Sequence, residues 1–141
     1  MKTPHRFSLC SFLLFLVASF ALSCGNGAGA NRQLQSIALT PATADAQAYP
    51  DGQVQFTATG DYNTAPNTVT PLAAHWGTCY QGAATSEISV TAAGLAQCTS
   101  GASGAYTVWA DDPASPNGGC LSINACGGGC FIVGTAQLTC H

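Results

Sequence analysis

From Leu34 onward the chain alternates apolar and polar residues with a period of two, broken every few positions by Gly, Pro, Asn or Asp. That rhythm predicts short strands separated by turns. Ile37 and Leu39 share one face of QSIALT, and Pro41 breaks or kinks that strand. Val54, Phe56 and Ala58 alternate after the turn Tyr49-Pro50-Asp51-Gly52. A polar loop from Asp61 to Pro71 leads to a third strand, with Ala74, Trp76 and Thr78 on one face. Ile88 and Val90 mark the next strand, and Ala93-Gly94 turns the chain into Leu95–Cys98. After a turn over Gly101 to Gly104, Tyr106, Val108 and Ala110 take the inward positions and leave Trp109 outward. Asp111 to Cys130 is irregular, and Ala136, Leu138 and Cys140 share a face of the closing strand. Seven short strands and no convincing helix predict an all-β, antiparallel β-sandwich.

The first 23 residues follow a different pattern. Lys2 and Arg6 precede the apolar stretch Phe12 to Leu22, and Ser23-Cys24-Gly25-Asn26-Gly27 follows. This is the layout of a secretory signal, and the apolar run from Phe7 to Leu22 falls short of the ~20 residues that span a bilayer. The cysteine at its end resembles the acceptor of a bacterial lipoprotein signal, although Ala21 stands three places before it where Leu is usual. The resemblance implies a diacylglycerol on Cys24, cleavage on its amino side, and an exported protein anchored through lipid in the bacterial cell envelope. A plain secretory signal cut nearby, for example after Ala30, is the alternative. Residues 24–33, rich in Gly, Ala and Asn, are expected to act as a flexible spacer.

Removing the 23 residues before Cys24 leaves 118 of 141, the size of one domain with a single core. Arg32 is then the one strong base against Asp45, Asp51, Asp61, Glu87, Asp111 and Asp112, a formal charge of −5. Nucleic acid is excluded as a partner, since phosphate binding needs clustered bases. Setting aside Cys10 in the signal and Cys24, six cysteines remain: Cys79, Cys98, Cys120, Cys126, Cys130 and Cys140. In an exported chain an even six reads as three disulfides stapling the fold.

The strand order carries a more specific likeness. Ile37-Ala38-Leu39-Thr40-Pro41-Ala42-Thr43-Ala44, the Gly-led strand Gly52 to Gly60, Trp76, the turn Gly94-Leu95 and the Gly104 to Ala110 strand occur in that sequence. Together they resemble a bacterial immunoglobulin-like domain of group 2. The likeness runs from Leu34 to about Ala110, with a final strand after a cysteine-rich insertion at about 111–131. It implies an immunoglobulin-like sandwich of about seven strands over residues 34–141, with a structural or adhesive role. Thr78-Cys79-Tyr80-Gln81-Gly82 departs from the family pattern, as does the insertion, and both departures contain cysteines. Cys98 is expected to pair with Cys140, because each ends a strand and a sandwich brings such ends together. Cys79 is then expected to pair with one of Cys120, Cys126 and Cys130, the other two closing a small loop.

Candidate chemistry is sparse. Cys120, Cys126 and Cys130 lack the tight pairs of structural zinc sites, and Cys126-Gly-Gly-Gly-Cys130 lacks redox spacing. No metal or other cofactor is therefore expected. His75 is expected to face solvent opposite the core, and His141 to fray. No Gly-x-Ser-x-Gly elbow and no paired carboxylates point to catalysis, so the chain is not expected to be an enzyme. Asp111, Asp112 and Asn117 offer oxygens to calcium, against a plain solvated turn. Trp109 is the candidate ligand contact: an outward aromatic stacks on a sugar ring or a partner surface unless the insertion covers it. The expected function is an envelope-bound structural or adhesive module with a membrane contact through its lipid and a protein or glycan partner at the surface. The alternative is a small glycan-binding module using Trp109, Tyr80 or Tyr62.

Overall fold

The computed structural model describes residues 32–114, 126 and 132–141, all within one compact unit spanning Asn31–His141. The expected signal over 1–23, Cys24, and the insertion residues Asn117, Cys120 and Cys130 lie outside the described residues. The strands are β1 (Leu34–Thr40), β2 (Thr43–Asp45), β3 (Gln53–Gln55), β4 (Thr57–Tyr62), β5 (Thr68–Val69), β6 (His75–Tyr80), β7 (Ala83–Ala84), β8 (Ile88–Val90), β9 (Leu95–Cys98), β10 (Gly104–Asp111) and β11 (Val133–Cys140). The fold is all-β, and its strands lie in the two layers of a sandwich.

One layer joins β1-β4-β5 to β3-β9-β8 through the continuous segment β3–β4, interrupted at Phe56. The other is β2-β11-β10-β6-β7. Counting β3–β4 as one strand and leaving out β2, β5 and β7, the first layer holds the first, second, fifth and fourth strands. The second holds the third, sixth and seventh, which is the immunoglobulin-like order. The pairings are antiparallel except that β2 runs parallel to β11. Pro41, which has no N–H to donate, therefore marks a change of sheet. Beyond it Ala42 O accepts from Gln137 N–H (3.0 Å), and β2 continues along the opposite layer.

The core is built from small and medium side chains. Ile37, Leu39, Val54, Phe56, Ala58, Ile88 and Ala96 face Tyr106, Val108, Ala110, Ala136 and Leu138 across the layers, all buried. Full burial of each larger side chain contributes about 1.5–3 kcal/mol, while the alanines add little. Among the described residues two disulfides supplement this thin core. Cys98 on β9 is bonded to Cys140 on β11, and so crosses between the layers; Cys79 on β6 is bonded to Cys126.

Tyr106, near the start of β10, forms a corner typical of such sandwiches. Its single hydroxyl proton is directed to Glu87 Oε2 (2.8 Å), with the Ser103 carbonyl 3.2 Å away as the alternative acceptor, and its ring lies 4.9 Å from Tyr80. Burial, then the Glu87 carboxylate, holds this phenol above its ordinary value of 10.0.

Candidate functional site

The outward face of the second layer carries four of the residues singled out in the sequence, His75, Cys79, Trp109 and Asp111. In the β10–β6 register Asp111 stands opposite His75, Trp109 opposite Gly77 and Thr107 opposite Cys79. All point away from the core, as strand alternation requires. Trp109 is nevertheless only 3 % exposed, which corrects its assignment as a ligand contact. The indole packs against Gly77, where an added Cβ would clash with Trp109 Cζ2 and Cε2, so glycine at 77 makes room for it. The Cys79–Cys126 bond ties the insertion between β10 and β11 to this same face. Tyr80 and Tyr62, the other aromatics considered for glycan contact, are half-buried.

Asp111 and Asp112 were weighed between calcium ligands and a solvated turn; they are 2 % and 4 % exposed, so the turn is not solvated at these positions. They also diverge. Asp111 Oδ1 lies 3.8 Å from Nδ1 of the exposed His75, beyond hydrogen-bond distance. Asp112 instead accepts from the Tyr62 hydroxyl (3.0 Å) and the Ala114 N–H (2.9 Å). Among the described residues no group of three His, Cys, Asp or Glu side chains is placed to hold a metal.

Tyr62 links this turn to the start of the domain. The Arg32 guanidinium sits over its ring, 3.7 Å from the centroid, and donates to the Pro66 carbonyl (2.6 Å). Gln33 exchanges hydrogen bonds with Asn63 through its N–H and carbonyl. The last two residues of the expected spacer are thus held against the loop after β4. Burial and the Asp112 bond push the Tyr62 phenol up, with Arg32 opposing. Beside this end lies a recess of about 650 Å³ between Pro71–Trp76, the Ala92-Ala93 turn and Pro113, with apolar walls.

A different hollow, of about 410 Å³, opens at the opposite end, where the segment after β2, the β9–β10 connection and His141 meet. Tyr49, 37 % exposed, is the exposed large hydrophobic side chain among the described residues. Its backbone is fixed on both sides: its N–H donates to Ala46 O, and its carbonyl accepts from Gly52 N–H, each at 3.1 Å. Asp51 and Gly52 both adopt left-handed φ (55° and 65°), a conformation open to Asp and Gly that closes the turn tightly. Asp45 accepts from Gln47 N–H (3.0 Å) and meets His141 Nε2 at 3.1 Å. The first of these contacts, then the second, holds the Asp45 carboxyl below its ordinary value of 3.8. His141, expected to fray, therefore has a partner.

Sequence reasoning treated Tyr49 as one letter of a turn. The usable signal was its position: an aromatic directly before Pro-Asp-Gly, outside any alternating run and hence with no sheet face to bury it. No protein-family model matches the chain, and no curated protein matches it.

Proposed function

We propose that this protein is a non-enzymatic module of the bacterial cell envelope, held by lipid on Cys24 and serving as a compact structural or adhesive domain of the bacterial immunoglobulin-like type. The observation that carries the reading is the pair of disulfides in a small-residue sandwich. Such bonds form and persist in oxidising compartments outside the cytosol, as expected for a chain that begins with a secretory pattern. The immunoglobulin-like strand order adds support for the family likeness, and the adhesive role rests on analogy with that family.

Metabolic labelling in a bacterial host tests the anchor. Palmitate is expected on the full-length protein, absent from Cys24→Ser, with processing blocked by globomycin. A mature protein that is unlabelled and freely released overturns the lipid anchor.

A further inference from the structure

We propose that the hollow around Tyr49 is a binding site for an uncharged saccharide, a function beyond the tethered-module reading and independent of the lipid on Cys24. Its shape and chemistry converge on that ligand class. A volume of about 410 Å³ falls within the range of small-molecule sites, roughly 300–1,000 Å³. Tyr49 supplies one exposed aromatic ring, suited to the apolar C–H face of a pyranose. Around it stand Gln47, Gln97, Thr99, Ser100 and Asp51, whose amides, hydroxyls and carboxylate provide both donors and acceptors for sugar hydroxyls. Gln97 Oε1 already accepts from the Gln53 amide (3.3 Å), which commits its oxygen and leaves its own NH₂ to donate.

Other ligand classes fit less well. An anion would meet Asp51 within the hollow and Asp45 beside it, without a Lys or Arg to balance them. Arg32, the only such base after residue 6, is stacked on Tyr62 at the far end of the sandwich. An organic cation favours a cage of several Trp, Tyr or Phe faces, and Tyr49 is the one such residue of the lining. A purely apolar ligand would leave the amides and hydroxyls unpaired. The recess beside Trp76 has mainly apolar walls, with Gln55, Thr57 and His75 as its polar side chains.

The site is also preorganised, so little ordering opposes binding. Cys98–Cys140 joins the β9 wall to the strand leading to His141. Thr99 N–H donates to Glu87 O (2.9 Å) and Ala102 N–H to Thr99 O (3.1 Å), fixing the second wall. On the first wall Asp45 holds Gln47, and the two backbone bonds of Tyr49 hold the ring base.

The test is an amide NMR titration of the disulfide-bonded protein with cellobiose, maltose, lactose, mannobiose and N,N′-diacetylchitobiose. Glucuronic acid and inorganic phosphate serve as charged comparisons. Concentrations up to about 10 mM reveal a Kd of ~1 mM or tighter. A neutral saccharide is expected to shift the amides of Gln47, Tyr49 and 97–101 saturably. Tyr49→Ala should weaken it about tenfold while Tyr49→Phe stays within about threefold, as ring stacking requires. Gln97→Ala should weaken it about fivefold through one lost hydrogen bond. Tyr49 is exposed, so its variants retain the fold, and dispersed spectra verify this. Saturation by none of the five sugars, a stronger response to either anion, shifts confined to the Trp76 recess, or equal binding by Tyr49→Ala each overturns the proposal.

Discussion

Replacing Gly94 with alanine separates backbone strain from packing, because a matched control exists in the same domain. Gly94 has φ +81°, and Gly82, in the turn between β6 and β7, has φ +83°. An L-residue in this region costs about 1–2 kcal/mol wherever it occurs. At Gly82 nothing lies within 4 Å of an added Cβ, so the backbone term is the whole effect. At Gly94 the same atom would press on the Phe56 carbonyl and lie 2.8 Å from Trp76 Cζ2. Phe56 is fully buried and its N–H donates to the Gly94 carbonyl at 2.9 Å, so the strand cannot withdraw without loosening that bond. Overpacking adds about 1–3 kcal/mol, and a weakened hydrogen bond up to ~1 more. Gly94→Ala should therefore cost about 2–6 kcal/mol against about 1–2 for Gly82→Ala. Urea unfolding followed by tryptophan fluorescence, with disulfides intact and m-values compared, measures both. Equal losses, within ~0.5 kcal/mol, would refute the claim that the turn before β9 is wedged against Phe56 and Trp76.

Three further outcomes follow from the packing and the titratable groups. Replacing both cysteines of either disulfide by alanine should cost about 4 kcal/mol on the chain-entropy account, since separations of 42 and 47 residues differ by only ~0.1 kcal/mol in loop closure; calorimetry on the two variants checks both the size and the near equality. Trp109→Ala should lose about 3–5 kcal/mol of stability, as a buried aromatic does, yet leave saccharide titrations unchanged once folding is verified at low temperature. Tyr62 and Tyr106 hold their protons more tightly when folded, so their contribution is complete below about pH 10 and is lost as pH rises through their folded values; denaturant midpoints across the alkaline range should fall less steeply in Tyr106→Phe.

Much of the sandwich was legible because alternation reports directly which face a side chain takes. Val54, Phe56 and Ala58, and likewise Tyr106, Val108 and Ala110, stand on the inner faces as their spacing required. Alternation does not report what lies above the other face. Trp109 has the outward position, yet it is buried, with its ring against Gly77 on the face where Cys79 bonds Cys126. Nor does a proline state whether it ends a strand or redirects it. Past Pro41 the chain crosses to β11, a long-range pairing that depends on residues nearly a hundred positions away. Arg32 was legible as the lone base, but its seat on Tyr62 depends on a loop conformation invisible to composition. Tyr49 escaped notice for a related reason: periodicity draws attention to strands, and a hollow assembled from two connections and His141 has no period.

The fold assigns the two candidate features to opposite ends, which bears on how they would work together. Leu34 pairs with Tyr62 at one end of β1, and Thr40 pairs with Thr57 at the other. With about 3.4 Å per residue, β1 alone separates them by about 20 Å. Arg32 and Gln33 lie before the first end, held by Tyr62, Asn63 and Pro66. The hollow lies beyond the second, where β2, β9 and β11 finish. The Arg32 clasp and the Tyr49 hollow therefore share no lining residue, and Arg32 does not reach a ligand held in the hollow.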